Sequence, residues 1–414
     1  MPVAAFVALL GGLLVLAYFA EVLFARTRIP AVVILIFSGV LIGPLLSLFP
    51  GGDFTRVAPY FGAVALIVIL FEGGLELDLD ESARGLLQAA LLAGASFFVV
   101  GGTLALFAHG LLDLPWSSAI ALGSVLGVPS SAVVLPIAST LGLRTEVRTV
   151  VVLEAAIADV LGILGAGIAI EAGGGASVPL LVLRRTFLGF TVGALVALVV
   201  GLVWSRLLRG LRSKASQHGE VLTFGVVLVL DGVVHAVGGA SAIGVVAFGL
   251  VLANEPVIMA RLLRRPLSPE DEVLFGELRT GVHRFTSQLT FLIRTFFFVF
   301  LGVVIRWTGI TWFSAFVAAL FVLVVILGRR AVVVLLDRTR VIDMKNREAA
   351  ALSALYPRGL VTAVLAFGAV EAGLPGSDSF PLYAFAVLIA TNLLMVLDLR
   401  RLEPPDASRS TGAG

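Results

Sequence analysis

The chain has 414 residues, of which 59% are hydrophobic and only 14% charged, with a formal net charge of +2. Soluble domains carry about 25% charged residues, so the composition excludes a soluble globular protein and points to a polytopic all-α membrane protein. There are no cysteines, which excludes disulfides, thiolate metal sites and cysteine nucleophiles.

In chain order, apolar runs of spanning length fall at 2–25, 30–49, 57–77, 85–108, 116–139, 147–170, 179–205, 220–237, 239–254, 287–305, 312–336, 349–372 and 380–398. The first lacks a basic leader and a cleavage site, so it is expected to be a retained span. The runs number thirteen, or twelve if the eighth and ninth fuse across Val237-Gly238-Gly239. The segment 255–286 carries charges of both signs with Pro266 and Pro269, and reads as a cytoplasmic connector. The tail 401–414 is rich in Pro, Ser and Gly and is expected to be disordered.

Basic residues orient the spans. Arg26 and Arg28, Arg84, Arg144 and Arg148, Arg206 to Lys214, Arg261 to Arg265, and Arg338 to Arg347 all fall at odd-to-even junctions. Arg400 and Arg401 follow the last span. The opposite junctions hold little beyond Arg56 and Arg306, with Arg184 and Arg185 as the exception. The rule therefore predicts an external N-terminus and a cytoplasmic C-terminus, and the plasma membrane is the expected location.

Thirteen spans divide as six, one and six, and two six-span units must then insert in opposite senses. Residues 1–254 hold the first repeat, a linker span and the start of the second, and 287–400 hold its remainder. SGVLIGP in span 2 resembles FGLVLANEP in span 9, and GVPSSAVV in span 5 resembles YPRGLVTAVL in span 12. Mid-span prolines, Pro129 and Pro357, stand at matching places in the two halves. Such a pair predicts broken helices that cross at mid-membrane at a transport site.

Span 6, VVVLEAAIADVLGILGAGIAIE, carries Glu154 and Asp159. A carboxylate at the bilayer centre costs about 2.5–3.5 kcal/mol on insertion scales, so it needs a partner or a task. Asp159 lies about 16 Å below Arg148, near the middle of a hydrocarbon core about 30 Å thick. The two acids are roughly 140° apart around the helix and cannot share a face. Glu154 reads as structural and Asp159 as the working carboxylate, the alternative being that both are paired structural charges. Span 3 adds Glu72, with Glu76, Asp78 and Asp80 at its solvated end; span 8 adds Asp231. Buried arginines are expected at Arg294, at Arg329 or Arg330, and at Arg358. Paired against Arg330 and Arg358, the acids Glu72, Glu154 and Asp159 leave one free. Ser130 and Ser131 beside Pro129 offer hydroxyl and freed carbonyl oxygens suited to an alkali cation, unless they mark a simple kink. The four histidines are scattered without metal-ligand spacing. No enzymatic constellation, cofactor or nucleic-acid partner is expected.

IPAVVILIFSGVLIGP, LFEGGLELDL, GSVLGVPSSAVVLPI, LEAAIADVLGI, FFFVFLG and YPRGLVTAVLA, taken together and in order, resemble the monovalent cation/proton antiporter superfamily, the sodium/proton exchangers. The resemblance implies a six-helix core domain, a separate dimerisation domain and a homodimer. It places the ion- and proton-binding aspartate at Asp159, where an alkali cation binds. Its electroneutral branch implies the pairs Glu154–Arg330, with Arg329 if the register slips by one, and Glu72–Arg358.

Two departures stand out. The residue before the aspartate is usually Asn or Asp and here is Ala158; the broken fifth span often carries Asp and here has Ser130 and Ser131. A single carboxylate argues for one-for-one, electroneutral exchange of Na+ or K+ for H+. The rival readings are a sodium-coupled organic-anion symporter on the same fold and a low-activity, non-transporting relative. A channel is disfavoured, because no filter sequence or pore-lining ring is present.

Overall fold

The computed structural model describes residues 3–27, 30–46, 51–77, 83–173, 179–210, 218–263, 269–304 and 311–402. Arg28, Asp78, Asp80, Arg212, Lys214, Arg264, Arg265, Arg306 and the tail from 403 onward lie outside the described residues.

The described elements are α1 (Val3–Thr27), α2 (Ala31–Val40), α3 (Gly51–Glu76), α4 (Ala83–Ser96), α5 (Gly102–Leu112), α6 (Trp116–Gly127), α7 (Ser131–Thr140), α8 (Thr145–Gly173), α9 (Pro179–Gly210), α10 (Gly219–Ala236), α11 (Ser241–Ala253), α12 (Glu255–Leu263), α13 (Pro269–Val304), α14 (Trp312–Arg338), α15 (Asn346–Ala354), α16 (Leu360–Glu371) and α17 (Phe380–Arg401). Single π-turns extend α2 over Leu41–Leu45 and join α4 to α5 over Phe97–Gly101. With each interrupted helix taken as one crossing and α12 as a connector, the described helices form thirteen crossing segments. Spans 8 and 9 do not fuse. Gly238 adopts φ 75° between α10 and α11, a left-handed conformation that glycine adopts without strain, and the Gly239 N–H closes the turn on the Val234 carbonyl at 2.8 Å.

The chain divides into two compact units. One comprises Met1–Arg56, Arg84–Gly173 and Phe298–Gly414; the other comprises Val57–Ala83 and Gly174–Phe297. Within the first, α2 crosses the end of α13 where Gly39 meets Gly302: a Cβ on Gly39 would stand 2.9 Å from the Gly302 Cα. Within the second, α3 crosses α11 where Gly74 meets Gly249: a Cβ on Gly249 would stand 3.0 Å from the Gly74 Cα. Small residues let membrane helices approach backbone to backbone. Gly39 belongs to SGVLIGP and Gly249 to FGLVLANEP, so span 2 against span 10 and span 9 against span 3 are counterparts when span n corresponds to span n + 7. The two crossings thus match each other under the expected correspondence of the halves.

In the first unit, α6 packs on α8 and α5, α7 on α8, and α16 on α17 and α6. Asp231 on α10 and Arg294 on α13 are half-buried in the second unit. There Glu72 accepts a hydrogen bond from the Ser287 hydroxyl at 2.8 Å.

On the arginine-rich side of the first unit, the α7–α8 turn is tied to the start of α15. The Arg144 guanidinium donates to Glu348 at 2.8 and 2.9 Å and to the Asp343 carbonyl at 2.7 Å. Glu348 also accepts the Lys345 backbone N–H at 2.9 Å, which caps α15. Glu348 lies just outside the apolar run 349–372, and Arg144 holds its carboxyl down at about 2. A carboxylate with a depressed pKa stabilises the fold above its ordinary value near 4.5, and that contribution is lost as pH falls toward 2. Glu348→Gln is therefore expected to melt below wild type at neutral pH and to converge with it as pH falls from 4.5 toward 2. Melting temperatures of detergent-solubilised protein check this; parallel profiles would show that the pair contributes nothing to stability.

Candidate functional site

Two interrupted helices build the site. In the first, Val128 is extended (φ −108°, ψ 138°), as a residue preceding proline prefers, so α6 stops at Gly127 and α7 restarts at Ser131. In the second, residues 355–359 carry no regular structure between α15 and α16. Pro129 and Pro357 stand in these two breaks. The breaks bond to each other: the Ser130 N–H donates to the Pro357 carbonyl at 2.9 Å. Gly359 lies against the Ser130 hydroxyl, where a larger residue would push the two breaks apart.

Asp159 lies on α8 at this crossing, 5% exposed. The Ser131 hydroxyl donates to its Oδ2 at 2.5 Å. Its Oδ1 is buried with no hydrogen-bond partner among the described residues. Ser131 is the first residue of α7, so the carboxylate sits at the positive end of a half-helix. The site therefore offers one carboxylate and one hydroxyl oxygen. No group of three or more His, Asp or Glu side chains stands close enough to hold a metal among the described residues. One charge and hard oxygen donors suit a monovalent cation or a proton. Ser130 is engaged differently: its carbonyl accepts the N–H groups of Val133 and Val134, and its own N–H joins the breaks. Ala158 is buried against Ala93 and Val128, with Phe97, Ile157 and Leu161 packed around them. The position before the aspartate is thus a methyl group in an apolar cluster.

Arg358 occupies the second break, 2% exposed. Its Nε donates to the Leu126 carbonyl at 2.6 Å and its Nη1 to the Tyr356 carbonyl at 3.0 Å. Its backbone is held by Thr391 (3.1 Å) and Asn392 (2.8 Å) of α17. The Leu126 carbonyl lies in the last turn of α6, where the helix dipole favours a cation, and the Tyr356 carbonyl lies in the break just beyond α15. The buried cation and the buried carboxylate thus lie at half-helix ends of opposite polarity.

Of the expected Glu72–Arg358 pair, each residue has a partner within its own unit: Arg358 the Leu126 and Tyr356 carbonyls, and Glu72 the Ser287 hydroxyl. Broken helices expose carbonyls that an intact span would hide, and a count of charges overlooks them. Of the two arginines left open as the partner of Glu154, the geometry takes Arg329 and not Arg330. Arg329 binds both carboxylate oxygens of Glu154, with Nη2 to Oε2 at 2.9 Å, and donates to the Ser96 hydroxyl and the Leu352 carbonyl at 3.1 Å each. Arg329 is 3% exposed and Glu154 1%. Arg330, turned about 100° around α14, is 47% exposed and binds Asp398 at 2.6 Å. The buried stripe Val322, Val325, Arg329, Val332 and Leu336 selects Arg329. In sequence that stripe is invisible, because the opposite face of α14 is equally apolar. Sequence reasoning also passed over Asp398, Tyr356, Ser96 and the Arg144–Glu348 pair. Asp398 was hidden beside Arg400 and Arg401 as one more charge at a helix end.

The profile of the sodium/hydrogen exchanger transmembrane family matches residues 11–397. The chain belongs to the sodium/hydrogen exchanger family. This exchanger is similar to a protein named Na(+)/H(+) antiporter 1 from Methanocaldococcus jannaschii, 25% identical over 303 residues, or 72% of this chain and 68% of the relative. It is also similar to a K(+)/H(+) antiporter from Alkalimonas amylolytica, 29% identical over 147 residues, which cover 35% of this chain and 25% of the relative. Its fold matches the structure of the sodium proton antiporter MjNhaP1 from Methanocaldococcus jannaschii at pH 8 with a TM-score of 0.73, covering 97% of this chain and 96% of that one at 20% identity. The exchanger is a multi-pass membrane protein of transporter ancestry.

Proposed function

We propose that this exchanger carries Na+ or K+ against H+ through a single site at Asp159, one ion for one proton and without net charge movement. The observation that carries the reading is the half-satisfied carboxylate: Ser131 holds Oδ2, and Oδ1 has no hydrogen-bond partner among the described residues, at the crossing of the two breaks. A proton or an alkali cation at that oxygen neutralises the site, but not both at once. Exposed to one face of the membrane and then the other, such a site exchanges the two. The relatives named for sodium and for potassium support a monovalent cation as cargo. Ser131 supplies the second oxygen, and Ser130 keeps the breaks together. Ala158 adds no second acid, which supports the electroneutral cycle. The distribution of basic residues supports an external N-terminus and a cytoplasmic C-terminus; the family supports the plasma membrane as location and a homodimer as the working assembly.

The test is flux in liposomes carrying the purified protein and a preset pH gradient. External Na+ or K+, added separately, is expected to dissipate the gradient, with a rate unaffected by an imposed membrane potential. No cation-dependent dissipation would favour a non-transporting relative, and a strong voltage dependence would exclude the one-for-one cycle.

A further inference from the structure

We propose that Asp398 and Tyr356 form a latch that positions the ion site from the arginine-rich end of the first unit. This inference rests on Asp159 as that site. Tyr356 lies in the second break and is almost fully buried, at 1% exposure, yet its hydroxyl has a charged partner. It donates to Asp398 Oδ2 at 2.9 Å. Asp398 lies one turn before the end of α17, its side chain 16% exposed, and takes Arg330 on the same oxygen at 2.6 Å and Arg401 on the other at 3.6 Å. The carboxylate thus stands between solvent-exposed arginines and a buried break.

A short series of backbone and side-chain bonds connects this carboxylate to the site. The Tyr356 carbonyl receives Arg358, the next carbonyl, of Pro357, receives the Ser130 N–H, and the residue after Ser130 donates to Asp159. Residues 355–359 carry no regular structure, so their path depends on these contacts. The Tyr356–Asp398 bond ties a side chain of the break to a neighbouring continuous helix. Loosening it frees the Pro357 carbonyl to shift, and with it Ser130, Ser131 and the oxygens offered at Asp159. Neither Tyr356 nor Asp398 touches the cargo; they act through the break, so they are positioning residues.

The experiment is a double-mutant cycle on reconstituted protein, with Tyr356→Phe, Asp398→Ala and the double variant. It measures the half-saturating concentration of Na+ and of K+ and the maximal rate. Each single change is expected to raise the half-saturating concentration by about three- to tenfold, the portion of a charged hydrogen bond that reaches the site. The double change is expected to do no more than either alone, with maximal rates within about twofold of wild type. Unchanged affinity, additive effects, or a fall in maximal rate at constant affinity would each overturn the proposal. Tyr356→Phe removes a single oxygen and keeps the buried ring, so it decides the matter alone if Asp398→Ala does not fold. Asp159→Asn in the same vesicles separates the two readings: full exchange by that variant overturns Asp159 as the site, whatever the cycle reports about the latch.

Discussion

Asp159→Asn is expected to abolish cation/proton exchange in liposomes while the protein folds and reconstitutes like wild type. Asparagine keeps the size of the side chain and one carbonyl oxygen, so the Ser131 hydroxyl, which donates to Oδ2 at 2.5 Å, retains an acceptor. The negative charge and the proton site are lost together. A neutral amide neither binds a cation strongly nor exchanges a proton, so nothing alternates between the two sides. Folding is spared because a buried carboxylate with one unsatisfied oxygen is replaced by a group that is cheaper to desolvate. The wild-type protein is expected to show the complementary behaviour: the half-saturating cation concentration rises as pH falls, because protons compete for one carboxylate. Rates measured against cation concentration at several pH values check this. A variant that exchanged at the wild-type rate would move the site to Asp231 or Glu72.

Arg329→Ala is expected to be the most destabilising single change on this scaffold, at about 3–5 kcal/mol for a broken buried pair. The loss leaves Glu154, 1% exposed, without its counter-charge, and removes the donor for Ser96 and for the Leu352 carbonyl. Those three groups belong to α8, α4 and α15, so one guanidinium ties three elements to α14. Low yield and a lowered melting temperature are expected, with partial recovery in Glu154→Gln/Arg329→Ala because the stranded charge is gone. The neighbouring Arg330→Ala is the control. Its pair with Asp398 is 47% exposed on the arginine side and is worth about 1 kcal/mol or less. Melting curves for the four proteins decide between the two arginines. Equal losses for Arg329→Ala and Arg330→Ala, or a double change no better than the single, would refute the pairing.

The two arginines mark where sequence reasoning reaches its resolution. Hydropathy places spans well because bilayer thickness dictates their length. It cannot set the rotation of a helix whose every face is apolar, and Arg329 differs from Arg330 only by rotation. The same holds for Arg358. A buried arginine was legible in YPRGLVTAVL, but its partners were the Leu126 and Tyr356 carbonyls, backbone groups with no signature in the residue types. Ser131 and Ser130 looked equivalent as oxygen donors. Only the restart of α7 at Ser131 gives that hydroxyl to Asp159 and leaves Ser130 to hold the breaks together.

The sequence by itself determined the all-helical membrane class, the apolar runs and the two breaks, because each rests on local composition, and its motifs in order pointed to the family; that spans 8 and 9 stay separate was decided by the turn at Gly238. Apolar length and a mid-span proline have consequences that no distant residue cancels. The tertiary structure decided which arginine meets Glu154, which carbonyls Arg358 bonds, how Asp398 reaches a break through Tyr356, and which serine faces Asp159. Those are choices between neighbours on one helix or between residues far apart in the chain. The energies that separate them arise only when faces are buried and the carbonyls of broken helices are brought within hydrogen-bonding distance.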